Sequence, residues 1–353
     1  MIYKYLSKIT SILSPEFLHD IFILSLKLDM KKKKKRFKNL EFEFLGKKFD
    51  NPLGLAAGFD KNAEVIKGTL NLGFGFVEVG TVTPMPQKGN PKPRVFKIPE
   101  YEAVIQRLGF NNKGIESFLE NLLNYRKLHN SGIVGVNIGK NKNNENFFSD
   151  YKFLFKLVSS HADYVTINIS SPNTLGLRDL QKKGIVEELI KIIIKVNKKK
   201  VPTFVKISPD ISDVDLENIC KISVNEKLIC GLIISNTTVG RDMLFTRPVR
   251  DSWKIKESGG LSGPPLSILT NDVIKKVFSI TKGKIKIIGV GGVSTGKDVF
   301  EKLSLGCNLV QLYTALIYKG PNVVSNILSE LSILIEKNGF SNVSDLIGKN
   351  IKL

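Results

Sequence analysis

An α/β chain folded as one (β/α)8 (TIM) barrel behind an N-terminal two-helix extension is the architecture this sequence predicts, on three observations. Eight apolar runs, each suited to a buried parallel strand, alternate with helical patterns over about 300 residues. Polar residues gather at the C-terminal ends of those runs, where a barrel builds its site. The last two runs end in a glycine-rich turn and a Tyr-Thr pair, at the usual phosphate position of this fold. A length of 353 residues would also accommodate two ordinary domains. No linker or internal repeat divides the chain, so the division expected is residues 1–38 as a helical and polybasic segment and 39–353 as the barrel.

The elements follow in order. Ile2, Tyr5, Leu6, Ile9, Ile12 and Leu13 recur at spacings of three and four and predict a first helix. Ser14 followed by Pro15 reads as an N-cap and first helical position, and Phe17, Leu18, Ile21, Phe22, Leu24 and Leu28 predict a second helix. Pro15, Glu16, His19, Asp20 and Lys27 interrupt any apolar stretch of the roughly 20 residues a spanning helix needs. Neither a signal peptide nor an Arg- and Ser-rich transit pattern is visible. Lys31 to Lys38 then places seven positive charges in eight residues. Two readings stay open: the helices pack on the barrel, or they lie in a membrane surface with the lysines drawn to anionic headgroups. A hairpin turning at Gly46 follows. The eight strands are expected at Pro52–Ala56, Gly75–Val79, Ile133–Ile138, Tyr164–Ile169, Thr203–Ile207, Gly231–Ser235, Lys286–Val290 and Asn308–Leu312.

Composition narrows the function. The net charge of +20 comes from 53 basic residues, of which only eight are Arg. Nucleic-acid surfaces favour Arg forks interleaved with aromatic rings, whereas here Lys is scattered through the predicted helices, so no nucleic-acid partner is expected. Cys220, Cys230 and Cys307 have no CxxC spacing and no neighbouring His, so neither a metal site nor a disulfide framework is expected.

The strand-end candidates are Asp60, Lys61, Thr81, Asn137, Asn168, Ser171, Asn173, Lys206, Asn236 and Thr237. Any one Asn or Ser could cap a helix or make a turn; their joint position is what points to a site. Gly289–Gly292, with Gly263, Tyr313 and Thr314, suits a phosphate, because glycine lets backbone N–H groups approach it closely. A strand-end lysine could alternatively form a Schiff base, as in some aldolases.

Several strings carry a resemblance: Asn51–Lys61 (NPLGLAAGFDK), Gly80–Arg94 (GTVTPMPQKGNPKPR), Arg107–Asn112 (RLGFNN), Asn137–Lys142 (NIGKNK), Ile167–Arg178 (INISSPNTLGLR), Ser235–Thr238 (SNTT), Gly259–Leu266 (GGLSGPPL) and Ile287–Gly292 (IIGVGG). Together they resemble the quinone-dependent, class 2 dihydroorotate dehydrogenases across nearly the whole chain. The resemblance implies oxidation of dihydroorotate to orotate by FMN, the fourth step of pyrimidine synthesis, with electrons leaving to a membrane quinone. It implies that Ser171 takes the proton from C5 of the substrate while hydride leaves C6 for the flavin, and that Lys61 lies between the two. A serine is a weak base, so its surroundings or a water relay must activate it. Sibling classes carry Cys there, which makes Ser171 the residue that argues for class 2.

By the same resemblance, substrate is held by Lys61, Arg107, Leu108, Gly109, Phe110 and Asn112, and further by Asn168, Asn173, Asn236 and Thr237. The flavin is held by Ala57, Gly58, Lys61, Thr81, Asn137 and Asn168 on one side, and by Lys206, Ser235, Gly263, Gly292, Tyr313 and Thr314 on the other. His19 and Lys97 match quinone-tunnel positions. Departures from the pattern are Lys97 for a common Arg, Gln106 for Asn and Ser235 for Thr; Lys lacks the planar fork of Arg, which leaves the quinone geometry open. A monomer is implied, peripheral on the cytoplasmic side of a bacterial inner membrane, with the mitochondrial inner membrane as alternative. A fumarate- or NAD-linked flavoenzyme of the same barrel type and a non-catalytic binding module also remain open at this level.

Overall fold

The computed structural model describes residues 14–28, 35–129 and 131–351. The expected first helix and the Lys31–Lys34 part of the basic run lie outside the described residues. Helix α1 (Pro15–Lys27) begins as the Ser-Pro pair predicts, with Ser14 Oγ accepting from the Phe17 N–H at 3.2 Å. The hairpin β1 (Phe42–Phe44) and β2 (Lys47–Phe49) turns at Leu45 and Gly46, both at positive φ.

Eight parallel strands close into a barrel: β3 (Leu53–Leu55), β4 (Phe76–Val82), β7 (Ile133–Ile138), β8 (Tyr164–Asn168), β9 (Thr203–Ile207), β10 (Ile229–Ile234), β12 (Lys286–Val290) and β13 (Leu309–Leu312). Every expected strand is present, and β13 pairs with β3 to complete the ring. Because side chains alternate along a strand, each strand sends one set outward to the helices and one into the barrel. Val77 and Val79 join the large outer core, while Phe76, Tyr164, Phe204, Ile233, Ile288 and Leu309 fill the interior. The hairpin stops the N-terminal mouth with Phe44 and Phe49, the latter 5.8 Å edge-on to Phe76. Each such apolar side chain contributes about 1.5–3 kcal/mol on burial. Two glycines make the closure fit. A Cβ on Gly54 would meet the Phe76 ring at 2.3 Å, and one on Gly231 would sit 1.7 Å from the Lys286 carbonyl oxygen.

Three further strands had no counterpart in the sequence expectations. The strands β5 (Val95–Ile98), β6 (Ala103–Gln106) and β11 (Gly260–Ser262) form an antiparallel sheet with its own core of Phe96, Ile98, Ile105 and Leu261. They are short, and β11 pairs with a segment some 155 residues earlier, Leu261 opposite Ile105. Local periodicity carries no signal for such a pairing.

Candidate active site

A cavity of about 1370 Å³ opens at the C-terminal mouth of the barrel, walled by the strand ends, the small antiparallel sheet and α1. One drug-sized ligand occupies about 300–1,000 Å³, so this volume takes more than one small molecule. Its wall includes Ser171, Lys61, Asn168, Asn173, Asn236 and Thr237, contributed by segments after β3, β8 and β10. Thr81, Lys206 and Ser235 also reach it, as do Leu108, Gly109, Phe110 and Asn112 of the loop after β6.

The polar side chains form two hydrogen-bonded groups, one around Asn168 and one around Asn173. Asn168 Nδ2 donates to Thr81 Oγ1 at 3.1 Å and to Asn137 Oδ1 at 3.2 Å, and the Thr81 hydroxyl donates to Asn137 Oδ1 at 2.7 Å. Asn236 Nδ2 reaches Ser170 Oγ at 3.0 Å, and Ser170 Oγ donates back to Asn168 Oδ1 at 3.1 Å. Ser171 Oγ accepts from the Asn173 N–H at 3.3 Å, and Asn173 Nδ2 donates to Gln106 Oε1 at 3.3 Å. Thr237 Oγ1 is buried with no partner, so a donor or acceptor from a ligand is the contact it lacks.

Two lysines face this network without an ion-pair partner among the described residues. Burial pulls the Lys206 ammonium below its ordinary value, an effect that Glu78 partly offsets. Lys61 is drawn down to about 8, chiefly by burial and further by Arg94, against the opposing pull of Glu16, Asp20 and Asp60. Its neighbour Asp60 accepts from the Glu64 and Val65 N–H groups at 2.8 and 2.9 Å, which anchors the loop that presents Lys61. Burial nevertheless raises Asp60 to about 6.

On the opposite wall lie Ala57, Gly58, Gly263, Gly292, Tyr313 and Thr314. Gly291 and Gly292 both hold positive φ, and a Cβ on Gly292 would strike Ser267 at 2.5 Å, so the turn admits only glycine. Thr314 Oγ1 donates to Ser262 Oγ at 2.9 Å and ties the turns after β13 and β11 together. These backbones and hydroxyls suit a phosphate.

Helix α1 covers the third side. Glu16 pairs with the nearly buried Arg94 at 2.7 Å, and His19 and Phe22 stack edge-on against Phe59 at 5.0 and 5.6 Å. His19 is held down to about 3, by burial first and then by the Lys61 charge, and is therefore neutral at pH 7. Lys97 lines the same side with its Nζ 4.9 Å from the Tyr318 ring centroid. The outward face of α1 leaves Phe17, Ile21, Leu24 and Leu28 exposed as a continuous apolar stripe. No helix among the described residues is long and apolar enough to cross a membrane.

Comparison with known proteins agrees with this arrangement. Residues 39–335 match the family profile described as Dihydroorotate dehydrogenase. The chain belongs to the dihydroorotate dehydrogenase family. A relative from Parvibaculum lavamentivorans, named dihydroorotate dehydrogenase (quinone), is 41% identical over 345 residues, covering 97% of each chain. The mitochondrial dihydroorotate dehydrogenase (quinone) of Mus musculus is 46% identical over 320 residues, 88% of this chain and 79% of its own. A crystal structure of the Eimeria tenella enzyme in complex with ferulenol superposes with a TM-score of 0.90 at 35% identity, covering 96% of each chain.

Three of the expected site residues behave differently from their neighbours in the family pattern. Arg107 is absent from the cavity wall; its guanidinium pairs with Glu257 at 2.5 Å, bonds the Pro93 carbonyl and stacks on Phe96. These contacts brace the small sheet. Asn137 lies beneath the wall, behind Thr81 and Asn168. The Asn112 side chain reaches the wall, but it is engaged with Thr83, Phe110 and Gly114, which closes its own loop. Sequence reasoning passed over Ser170 and Glu78, which bond into this network. Glu78 alone carried a readable signal, an acid inside an otherwise apolar buried strand.

Proposed function

We propose that this protein oxidises (S)-dihydroorotate to orotate with a bound FMN and delivers the electrons to a membrane quinone, at the fourth step of de novo pyrimidine synthesis. The observation that carries the reading is the joint opening of Ser171, Lys61 and the amide network onto one cavity, between a glycine turn and an apolar helix. The residues fit FMN. The turn at Gly263, Gly292 and Thr314 would hold its phosphate, and Thr81, Ser235 and Lys206 present two hydroxyls and a cation to the ring system. When bound, FMN supplies the two-electron acceptor that the side chains themselves lack.

The side chains supply the rest. Asn168, Asn173, Asn236 and the partnerless Thr237 hydroxyl offer donors and acceptors to a pyrimidine ring and its carboxylate. Ser171 accepts the C5 proton. Lys206 and Lys61, cationic below about pH 8 in the case of Lys61, hold positive charge where negative charge develops. His19, Phe22 and Lys97 border the side from which a quinone would enter. The apolar stripe of α1, with the adjoining basic run, docks the protein peripherally on an anionic membrane, the cytoplasmic face of a bacterial inner membrane or the mitochondrial inner membrane. Residues 1–38 act as the docking unit and 39–353 as the catalytic one, in a monomer.

The test is direct. Purified protein is expected to be yellow with about one FMN per chain, to bleach on anaerobic addition of dihydroorotate and to regain colour with a short-chain quinone. Colourless protein, or a flavin that dihydroorotate leaves oxidised, refutes the proposal.

Lys61 adds a pH signature. Below about 8 it is cationic and attracts an anionic ligand; above that value the charge is lost. Orotate titrations of the flavin spectrum are expected to show constant affinity up to about pH 8 and then weakening by about tenfold per pH unit. The break disappears in Lys61→Ala if Lys61 is its source.

A further inference from the structure

Beneath the cavity floor lies a carboxylate to which the reading above assigns no part. Glu78, in the middle of β4, has no exposed surface. Among the described residues each of its hydrogen-bond partners is a donor: Asn137 Nδ2 to Oε1 at 2.7 Å, with the Tyr164 hydroxyl at 2.9 Å and Gln311 Nε2 at 2.8 Å both to Oε2. It is thus bonded as an acceptor only, with Lys206 as the nearby cation. A well-packed apolar side chain would fill this space without the cost of burying an ion. Packing alone therefore does not account for the acid.

We infer that Glu78 is a positioning residue that sets the donor and acceptor sense of Asn137 and Thr81, on which the Asn168 amide facing the substrate rests. An amide presents oxygen at one end and NH2 at the other, and its neighbours decide which way it lies. An anion accepts and never donates, so Glu78 obliges Asn137 to turn its NH2 downward and its oxygen up. That oxygen takes the Thr81 hydroxyl hydrogen at 2.7 Å, which leaves the Thr81 oxygen to accept from Asn168 Nδ2 at 3.1 Å. Asn168 holds its oxygen toward Ser170 and Asn236, where the Ser170 N–H at 3.3 Å fixes it and Ser170 Oγ at 3.1 Å and Asn236 Nδ2 at 3.4 Å also donate to it. Asn236 in turn accepts from the Thr237 N–H at 2.9 Å. One carboxylate below the floor thereby orients Asn137 and the Thr81 hydroxyl, in the same sense in which the Ser170 and Thr237 N–H groups hold Asn168 and Asn236. A glutamine at position 78 would turn an NH2 against one of its three donors and free Asn137 to reverse, setting its NH2 against that of the backbone-fixed Asn168.

The inference rests on the functional reading above, and the experiment separates the two. Flavin-loaded wild type, Glu78→Gln, Tyr164→Phe and Thr81→Val are titrated with orotate by flavin absorbance, and their thermal midpoints and flavin potentials are measured. Orotate affinity is expected to fall at least tenfold in Glu78→Gln and in the near-isosteric Thr81→Val, which removes the hydroxyl that Asn137 orients and leaves Asn168 only its direct 3.2 Å bond to Asn137. In Tyr164→Phe, which removes one donor but keeps the carboxylate, affinity stays within twofold. Loss of the anion also raises the flavin potential of Glu78→Gln by about 30 mV, a tenfold change in a two-electron equilibrium. Unchanged orotate binding in Glu78→Gln overturns the inference, as does an equal loss in Tyr164→Phe, which would mark a general loosening. Should Glu78→Gln not fold, unchanged binding in Thr81→Val overturns it alone. A wild type that purifies without flavin defeats the functional reading itself.

Discussion

Ser171→Ala is expected to lower the rate of flavin bleaching by dihydroorotate by roughly 10²–10⁴-fold, the usual contribution of a positioned base. Flavin content should remain that of the wild type. The serine follows β8, lines the cavity and accepts from the Asn173 N–H, while the flavin's proposed phosphate turn lies across the pocket at Gly263 and Gly292. Removing one hydroxyl therefore subtracts the proton acceptor and leaves the cofactor's contacts in place. Anaerobic stopped-flow absorbance separates the two effects, because bound flavin is read before mixing and the bleaching rate after it. A variant that bleaches within tenfold of the wild-type rate would assign the proton to another acceptor.

The second large effect is expected at the membrane. Ile21 and Leu24 are 47% and 64% exposed on the outer face of α1, so their replacement by serine removes no core contact. Each apolar side chain leaving water contributes about 1.5–3 kcal/mol, so losing two weakens attachment to anionic vesicles by at least about a hundredfold. Turnover with a quinone dissolved in those vesicles should fall in step. Turnover with a water-soluble dye should stay unchanged, because the inward face of α1, with Glu16 on Arg94 and His19 on Phe59, is untouched. Vesicle co-sedimentation and the two acceptor assays decide the matter together. Equal vesicle binding by wild type and Ile21→Ser/Leu24→Ser would mean that α1 is only a lid on the barrel.

Both predictions depend on residues that the chain order announces and the fold assembles. The barrel was legible because its signal is repetitive. Eight apolar runs with polar ends each report the same local fact, a parallel strand buried on both faces, and all eight strands lie where the runs do. The Ser14-Pro15 start of α1 was legible for a local reason as well, since a cap and a fixed φ act within one turn. The stripe of Phe17, Ile21, Leu24 and Leu28 followed from helical spacing. Whether it faced the barrel or the solvent did not, since both Phe22 and Leu24 are apolar and only docking on Phe59 and Gly68 selects between them.

The strand-end polar residues were likewise identified one at a time, yet their connections run between strands far apart in sequence. Arg107 reads as a free cation until Glu257, 150 residues away, takes its guanidinium. Asn112 reads as a free amide until Thr83 and Gly114 occupy it. Glu78 is visible in the sequence only as an anomaly, and its donors Tyr164 and Gln311 arrive 86 and 233 residues later. Local chemistry in the sequence thus determined the strands, the cap, the glycine turn and the roster of polar side chains. Barrel closure decided which of them face the cavity, which brace it from behind and which way the amides point. Those outcomes depend on contacts formed through space, and no pattern along the chain encodes the partner at the other end.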